Sequence, residues 1–114
     1  MSSFLAVMGC TKPQDGYAAS KGAIIALTRS LAVQFGRYGI RVNALCPGPI
    51  ETEHVRRFFA DEAARKLRLD RIPLGRFGRP EDVAELALFL ASDAASWLTG
   101  EAITLDGGIS CNYL

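Results

Sequence analysis

The sequence has no apolar run approaching the roughly 20 residues that span a bilayer, so no transmembrane helix is predicted. It also lacks a charge of one dominant sign. Net charge is +1 over 114 residues, which gives no argument for a nucleic-acid or membrane partner. Cysteine is scarce. Cys10, Cys46 and Cys111 are odd in number and far apart, with no CxxC pair, which excludes a disulfide framework. They are expected to be reduced and mostly buried thiols of a cytoplasmic protein. The single histidine, His54, has no Cys or His neighbour at ligand spacing, so no metal site is predicted. Residues 1–8 include an apolar patch without a basic leader and are not read as a signal peptide. There is no low-complexity linker and no internal repeat.

What is present is a globular balance, 49% apolar and 22% charged, in a length that fits one domain with a real core. Residues 1–15 read as a loop broken by Gly9, Pro13 and Gly16, with Asp15 placed to cap the helix that follows. Residues 17–37 read as that helix. Tyr17, Lys21, Ile24, Leu27 or Thr28, Leu31 and Phe35 fall at 3–4 spacing, and Gly36 and Gly39 end it. A second stripe, Ala19, Ala23, Ala26 and Ser30, is small throughout. A helix apolar or small on two faces is packed on both. One face would meet a sheet, and the other a second helix at close range, from another subunit.

Residues 40–46 read as a short strand bounded by Gly39 and Pro47-Gly48-Pro49. Residues 52–70 read as one charged amphipathic helix, with Val55, Phe58, Phe59, Ala63 and Leu67 or Leu69 on its apolar side. The basic series Arg56, Arg57, Arg65, Lys66, Arg68 and Arg71 is interleaved with Glu53, Asp61, Glu62 and Asp70, the pattern of a solvated face. Residues 71–79 form a loop. Pro80 then opens a further helix, with Glu81 and Asp82 in its first turn and Val83, Leu86, Ala87 and Leu90 as its buried stripe. Residues 102–105 form a last strand ending at Asp106-Gly107-Gly108. Phe89 and Trp97 are expected in the core. Alternating helix and strand predicts an α/β fold with parallel pairing. Two strands with three main helices look like part of a sheet, since a parallel pair must be covered on its faces and edges.

The chemistry-bearing feature is Tyr17-Ala18-Ala19-Ser20-Lys21. On a helix the phenol and the ammonium share one face, one turn apart. A cation beside a phenol favours the phenolate, which is what a tyrosine needs to move a proton. Asn43 is read as bonding neighbouring backbone.

In order, the chain carries that pair, then Ile40-Arg41-Val42-Asn43, Pro47-Gly48 with Thr52, Gly78-Arg79-Pro80-Glu81-Asp82-Val83-Ala84, Leu98-Thr99-Gly100 and Asp106-Gly107-Gly108. Six such motifs at this spacing resemble the second half of a short-chain dehydrogenase/reductase, and the resemblance covers essentially all 114 residues. It implies the C-terminal part of a doubly wound, Rossmann-type parallel sheet. It also implies an oxidoreductase that moves hydride between NAD or NADP and a small-molecule alcohol or carbonyl substrate.

By resemblance, Tyr17 is the acid/base. Lys21 supports it and holds the nicotinamide ribose. Ser3, with Ser2 as the alternative, hydrogen-bonds the substrate oxygen. Pro47 and Gly48 support the nicotinamide, while Ile50 and Thr52 meet its carboxamide. Residues 53–70 match the substrate lid, and a homo-oligomer, dimer or tetramer, is implied.

The family's Gly-rich turn, which receives the dinucleotide's pyrophosphate at a helix N-terminus, is not among these residues. Residues 1–114 are therefore expected to form a partial domain without its dinucleotide-binding half. The alternative expectation is a non-catalytic fragment or oligomerisation module that does not bind the dinucleotide alone.

Overall fold

The computed structural model describes residues 1–113. Its elements are α1 (Asp15–Phe35), β1 (Ala44–Pro47), α2 (Glu53–Phe58), α3 (Glu62–Leu69), α4 (Pro80–Ala91) and β2 (Ala102–Leu105). Single 3-10 turns lie at Phe4–Ala6, Gly36–Tyr38, Asp93–Ala95 and Ile109–Cys111. The fold is α/β, with one parallel strand pair. It carries the three main helices expected plus α2, a short helix of 6 residues.

β1 and β2 run in register from Ala44 opposite Ala102 to Pro47 opposite Leu105. Backbone groups alternate sides along a strand. Ala44 donates its N–H to Glu101 on the β2 side, so Leu45 faces the other way, and its carbonyl accepts the Ser2 N–H at 2.7 Å. The opening residues therefore flank β1 on the edge away from β2. That contact brings Ser2 and Ser3 beside the strand that leads into Pro47 and Gly48.

Several boundaries differ from those the sequence predicts. The ladder begins at Ala44 and not at residue 40: the Val42 carbonyl still accepts the Gly100 N–H at 2.7 Å, but the Val42 N–H and the Asn43 amide bond through side chains. The Val42 N–H donates to Thr99 Oγ1 at 3.0 Å, Asn43 Nδ2 donates to Leu98 O at 2.9 Å, and Asn43 Oδ1 accepts from Glu101 N at 3.1 Å. Asn43 thus bonds neighbouring backbone, as read. The single helix over 52–70 is two. Phe59 leaves helical geometry at φ −111°, ψ 42°, and Asp61 then starts α3 by accepting the Ala64 N–H at 2.8 Å. A carboxylate that satisfies an orphan amide there starts a new helix more readily than it continues an old one. The loop over 1–15 contains a 3-10 turn, and α1 starts at Asp15 itself. Gln14 holds the cap position without a side-chain bond, so Asp15 acts only as a first-turn acid. α1 ends through the 3-10 turn, whose cap Gly39 sits at φ 75°, a left-handed conformation that glycine adopts without strain.

The core nearest the site is a cluster of Phe4, Ile72, Phe77 and Ile109, with Leu5, Met8, Phe59 and Leu69 packed against it. Phe59 stacks on Phe77 at 5.7 Å and Arg65 lies over the same ring at 4.7 Å, which fastens α3 to the body of the fold. α1 buries Ile25, Thr28 and Ala32, so Thr28 and not Leu27 is the inward residue. Its small stripe, Ala19, Ala23, Ala26 and Ser30, is exposed, as are Val33 and Leu27. The second packed face is therefore uncovered in the single chain. Trp97 is 99% exposed and Phe89 42%, against their expected places in the core, because the described residues leave this surface open. Ala87, expected in the buried stripe of α4, is also exposed. Of the three free cysteines only Cys46 is buried. Cys10 and Cys111 sit in a loop and a terminal turn and are exposed. Among the described residues no helix is long and apolar enough to cross a membrane, and no cluster of His, Cys, Asp or Glu could hold a metal ion.

Candidate active site

Tyr17 and Lys21 lie in the first two turns of α1. The helical spacing predicted for them holds, and the Lys21 Nζ sits 5.4 Å from the centroid of the Tyr17 ring. The phenol hydroxyl has no hydrogen-bond partner among the described residues, and Tyr17 is 46% exposed, facing open space. Lys21 Nζ also donates to the Met1 carbonyl at 3.4 Å. The ammonium is thereby held between the opening residues and the tyrosine ring.

The two serines are buried and differently committed. Ser2 Oγ donates to the Lys21 carbonyl at 2.7 Å. Ser3 Oγ accepts the Leu5 N–H at 3.2 Å, capping the Phe4–Ala6 turn. The proton of Ser2 is used inside the fold, whereas that of Ser3 is left to donate elsewhere. This difference favours Ser3 as the serine able to hold a substrate oxygen.

Beyond β1, the chain turns at Pro47-Gly48. A Cβ on Gly48 would lie 2.6 Å from Asp106 Cβ and 2.8 Å from its Cα, so only glycine fits where this turn meets the end of β2. Asp106 holds that end, accepting from Gly108 N at 2.8 Å and Ser110 N at 3.0 Å. Ile50 then bridges in parallel to Gly78, and Thr52 caps α2 by accepting the Val55 N–H at 3.3 Å. α4 is fixed close by. Its Asp82 accepts from Arg79 N at 2.7 Å and from Arg76 at 2.7 and 3.1 Å. The Arg76 bond above all, then the Arg79 amide, lowers the Asp82 carboxyl pKa to about 2, and the Arg76 guanidinium is correspondingly raised.

These elements enclose one cavity of about 700 Å³. Ser3, Tyr17, Lys21, Pro47, Gly48, Ile50 and Thr52 all line it, so every residue singled out from the sequence meets at one place. The sequence did not mark Gln14, His54, Arg68 or Pro80, which line it too, nor did it single out Val55, Phe58 and Phe59 as more than an apolar lid face. The split of the lid into two helices hid Arg68, since a single helical wheel does not bring it to the same side as Val55. Lys12 lies over the Phe58 ring at 5.5 Å, joining the loop before α1 to the lid. A smaller cleft of about 270 Å³ lies between the loop over residues 74–78, the start of α4 and the end of β2. It shares only Pro49 and Ile50 with the larger one.

Compared with known proteins, residues 1–110 match the family described as Enoyl-(Acyl carrier protein) reductase. A 3-oxoacyl-[acyl-carrier-protein] reductase of Thermotoga maritima is 47% identical over 109 residues, 96% of this chain and 43% of that protein. A short-chain type dehydrogenase/reductase from Mycobacterium ulcerans superposes with a TM-score of 0.91 at 35% identity, covering 97% of this chain and 40% of that one. A solved structure from Agrobacterium tumefaciens with NADP bound superposes with a TM-score of 0.90 at 40% identity, over 96% of this chain and 44% of that one. The chain thus spans less than half the length of the relatives it matches.

Proposed function

The chain belongs to the short-chain dehydrogenase/reductase family of oxidoreductases, and from that we propose that it carries the catalytic half of an enzyme interconverting a secondary alcohol and its carbonyl compound with NAD or NADP. The observation that carries this reading is the convergence of Ser3, Tyr17, Lys21 and the turn at Pro47-Gly48 on one cavity.

The cavity fits the nicotinamide end of a dinucleotide. Its far wall, from Pro47 to Ile50, is rigid and largely apolar, closed by Gly48 against Asp106, and Lys21 stands opposite as a donor for ribose hydroxyls. Thr52 keeps a hydroxyl proton for a carboxamide oxygen, because its lone pair and not its proton caps α2. When bound, the nicotinamide gives or accepts the hydride. The chain's own work is positioning and proton transfer. Ser3 donates to the substrate oxygen and fixes it. Tyr17 gives its proton to that oxygen in the reducing direction and takes it back in the oxidising one. Lys21, beside the ring, stabilises negative charge on the phenol oxygen while the proton is away.

In this reading the substrate is a small molecule and the lid is α2 with α3. The uncovered small-residue face of α1 pairs with another copy in a dimer or tetramer, and the compartment is the cytoplasm, where three free thiols persist. These 114 residues form part of one domain, whose dinucleotide-binding half lies in further polypeptide.

The test is isotopic. A polypeptide joining these residues to a dinucleotide-binding half is given a ketone and NADH or NADPH deuterated at C4. Deuterium at the carbinol carbon of the product supports the reading, and an unlabelled alcohol or no alcohol rejects it.

A second reading rests on the exposed apolar surface of α1 and on Trp97. Here the 114 residues act by assembly and not by catalysis. Saturable micromolar binding of NADH to the chain alone would reject it.

A further inference from the structure

The charges around the cavity are unbalanced. No aspartate or glutamate lines it, while Lys21 and Arg68 do. Lys21 is engaged with the Tyr17 ring and the Met1 carbonyl. Arg68 is not matched in that way. It lies on α3 near the C-terminal end, half-buried, and its guanidinium lies over the Phe59 ring at 5.5 Å.

Most of the neighbouring carboxylates are already taken, and the remaining one, Glu62, is exposed in the first turn of α3. Glu51 is held by Arg65 at 2.7 Å and by Arg56 at 3.9 Å, Glu53 pairs with Arg57, and Asp70 pairs with Lys66 at 2.8 Å. Asp61 is spent on capping α3. Among the described residues, the Arg68 guanidinium has neither a carboxylate partner nor a hydrogen bond. The basic series of the lid is thus a solvated, paired face at every cavity-remote position that carries an ion pair. Among the described residues Arg71 and Arg68 carry no ion pair; Arg71 is exposed on the surface, and Arg68 is the one member of the series that lines the cleft.

A guanidinium resting against an aromatic ring keeps its fork of N–H groups free, and that fork recognises an anion with two oxygens. Around it, Phe58, Phe59 and Val55 offer apolar wall and no competing acceptor. We infer that the substrate of this cavity is an anionic alcohol or carbonyl compound, an apolar carbon skeleton ending in a carboxylate that Arg68 binds. The inference rests on the proposal that this cavity is the substrate site, and it adds the substrate's charge and the residue that reads it.

Binding tests it without requiring turnover. The 114-residue chain is titrated with 4-phenylbutyrate, with the matched neutral 4-phenylbutyramide and with 4-phenylbutyl phosphate, followed by calorimetry. Arg68→Met is compared with Arg56→Met, an exposed ion-paired arginine of the same lid that lies outside the cavity. The expected result is at least ten-fold tighter binding of the acid than of the amide. That preference is lost in Arg68→Met, partly restored in Arg68→Lys and kept in Arg56→Met. Equal binding of acid and amide, a preference that survives Arg68→Met, or no binding of any probe would overturn the inference. Binding of the phosphate alone would overturn the carboxylate assignment.

Tyr17→Phe keeps the acid preference if the inference is right, whether or not hydride transfer occurs. A chain that discriminates the acid but whose dinucleotide-joined form transfers no deuterium therefore rejects the catalytic reading and leaves this one standing.

Discussion

Ser2 Oγ donates to the backbone carbonyl of Lys21 at 2.7 Å, across nineteen residues of sequence. This bond ties the segment flanking β1 to the turn of α1 that carries the ammonium, and it uses the one proton that Ser2 has to give. The adjacent Ser3 is left with its proton available. In the proposed reading, two serines side by side divide a structural task from a chemical one.

That division is measurable. Ser2→Ala removes a part-buried hydrogen bond worth about 1 kcal/mol, which for a domain of this size lowers the melting temperature by roughly 5 °C. Ser3→Ala is expected to lower kcat at least ten-fold in the dinucleotide-joined enzyme and to change the melt less. Thermal unfolding and steady-state kinetics on the two variants decide the assignment. A kcat loss confined to Ser2→Ala would reverse it.

Gly48→Ala places a methyl group against the Cβ and the backbone of Asp106 at 2.6 and 2.8 Å. Backbone does not yield as a flexible side chain does, so the expected cost is about 1–3 kcal/mol. The wall of the cavity moves with it. Chemical denaturation should show the lower midpoint, and a midpoint unchanged from the wild type would contradict the close packing of the two turns.

Asp82 gives a pH signature. Its carboxyl is lowered from 3.8 to about 2 in the folded chain, by Arg76 first and the Arg79 amide second. The charged form is thus favoured by folding. The stabilisation is present above about pH 4 and is lost as pH falls towards 2. Asp82→Asn should flatten the pH dependence of the melt in that window while leaving a lower stability at neutral pH. A wild-type acid limb in Asp82→Asn would show that other carboxylates set it.

Association should follow from the exposed faces. Val33 is 85% exposed, Leu88 66% and Trp97 99%, a surface that favours self-assembly. Sedimentation velocity is expected to show concentration-dependent oligomers. A Trp97→Ser change should shift the distribution towards smaller species. A wild-type chain that is a monodisperse monomer with a cooperative melt would contradict this.

Much of the site was legible in the sequence because its parts obey local rules. Tyr17 and Lys21 are one helical turn apart, and Pro80 with the first-turn acids Glu81 and Asp82 opens α4 as proline preference and the helix dipole predict. The Pro47-Gly48 turn ends a strand in the ordinary way. The misjudged parts depend on competition or on what is far away. Asp61 interrupts a stretch whose apolar periodicity continues through it, and nothing local says that its carboxylate will cap. Asn43 replaces ladder bonds with side-chain bonds to residues more than fifty positions on. Trp97 and Phe89 were expected in the core because large aromatics usually are. Their exposure reflects surfaces that this chain does not cover. From the sequence Arg68 reads with its neighbours as solvated, since pairing at the other positions cannot be seen until α2 and α3 separate.

The central claim is that Tyr17 moves the proton. It is tested most directly by Tyr17→Phe in a polypeptide carrying these 114 residues with a dinucleotide-binding half. Turnover of a secondary alcohol and the affinity for NADH or NADPH are measured on the same preparation. The account predicts a loss of about 10²–10⁴-fold in kcat with cofactor affinity within a few-fold of wild type, the size expected for removing a general acid/base. A Tyr17→Phe enzyme that turns over at the wild-type rate would contradict it.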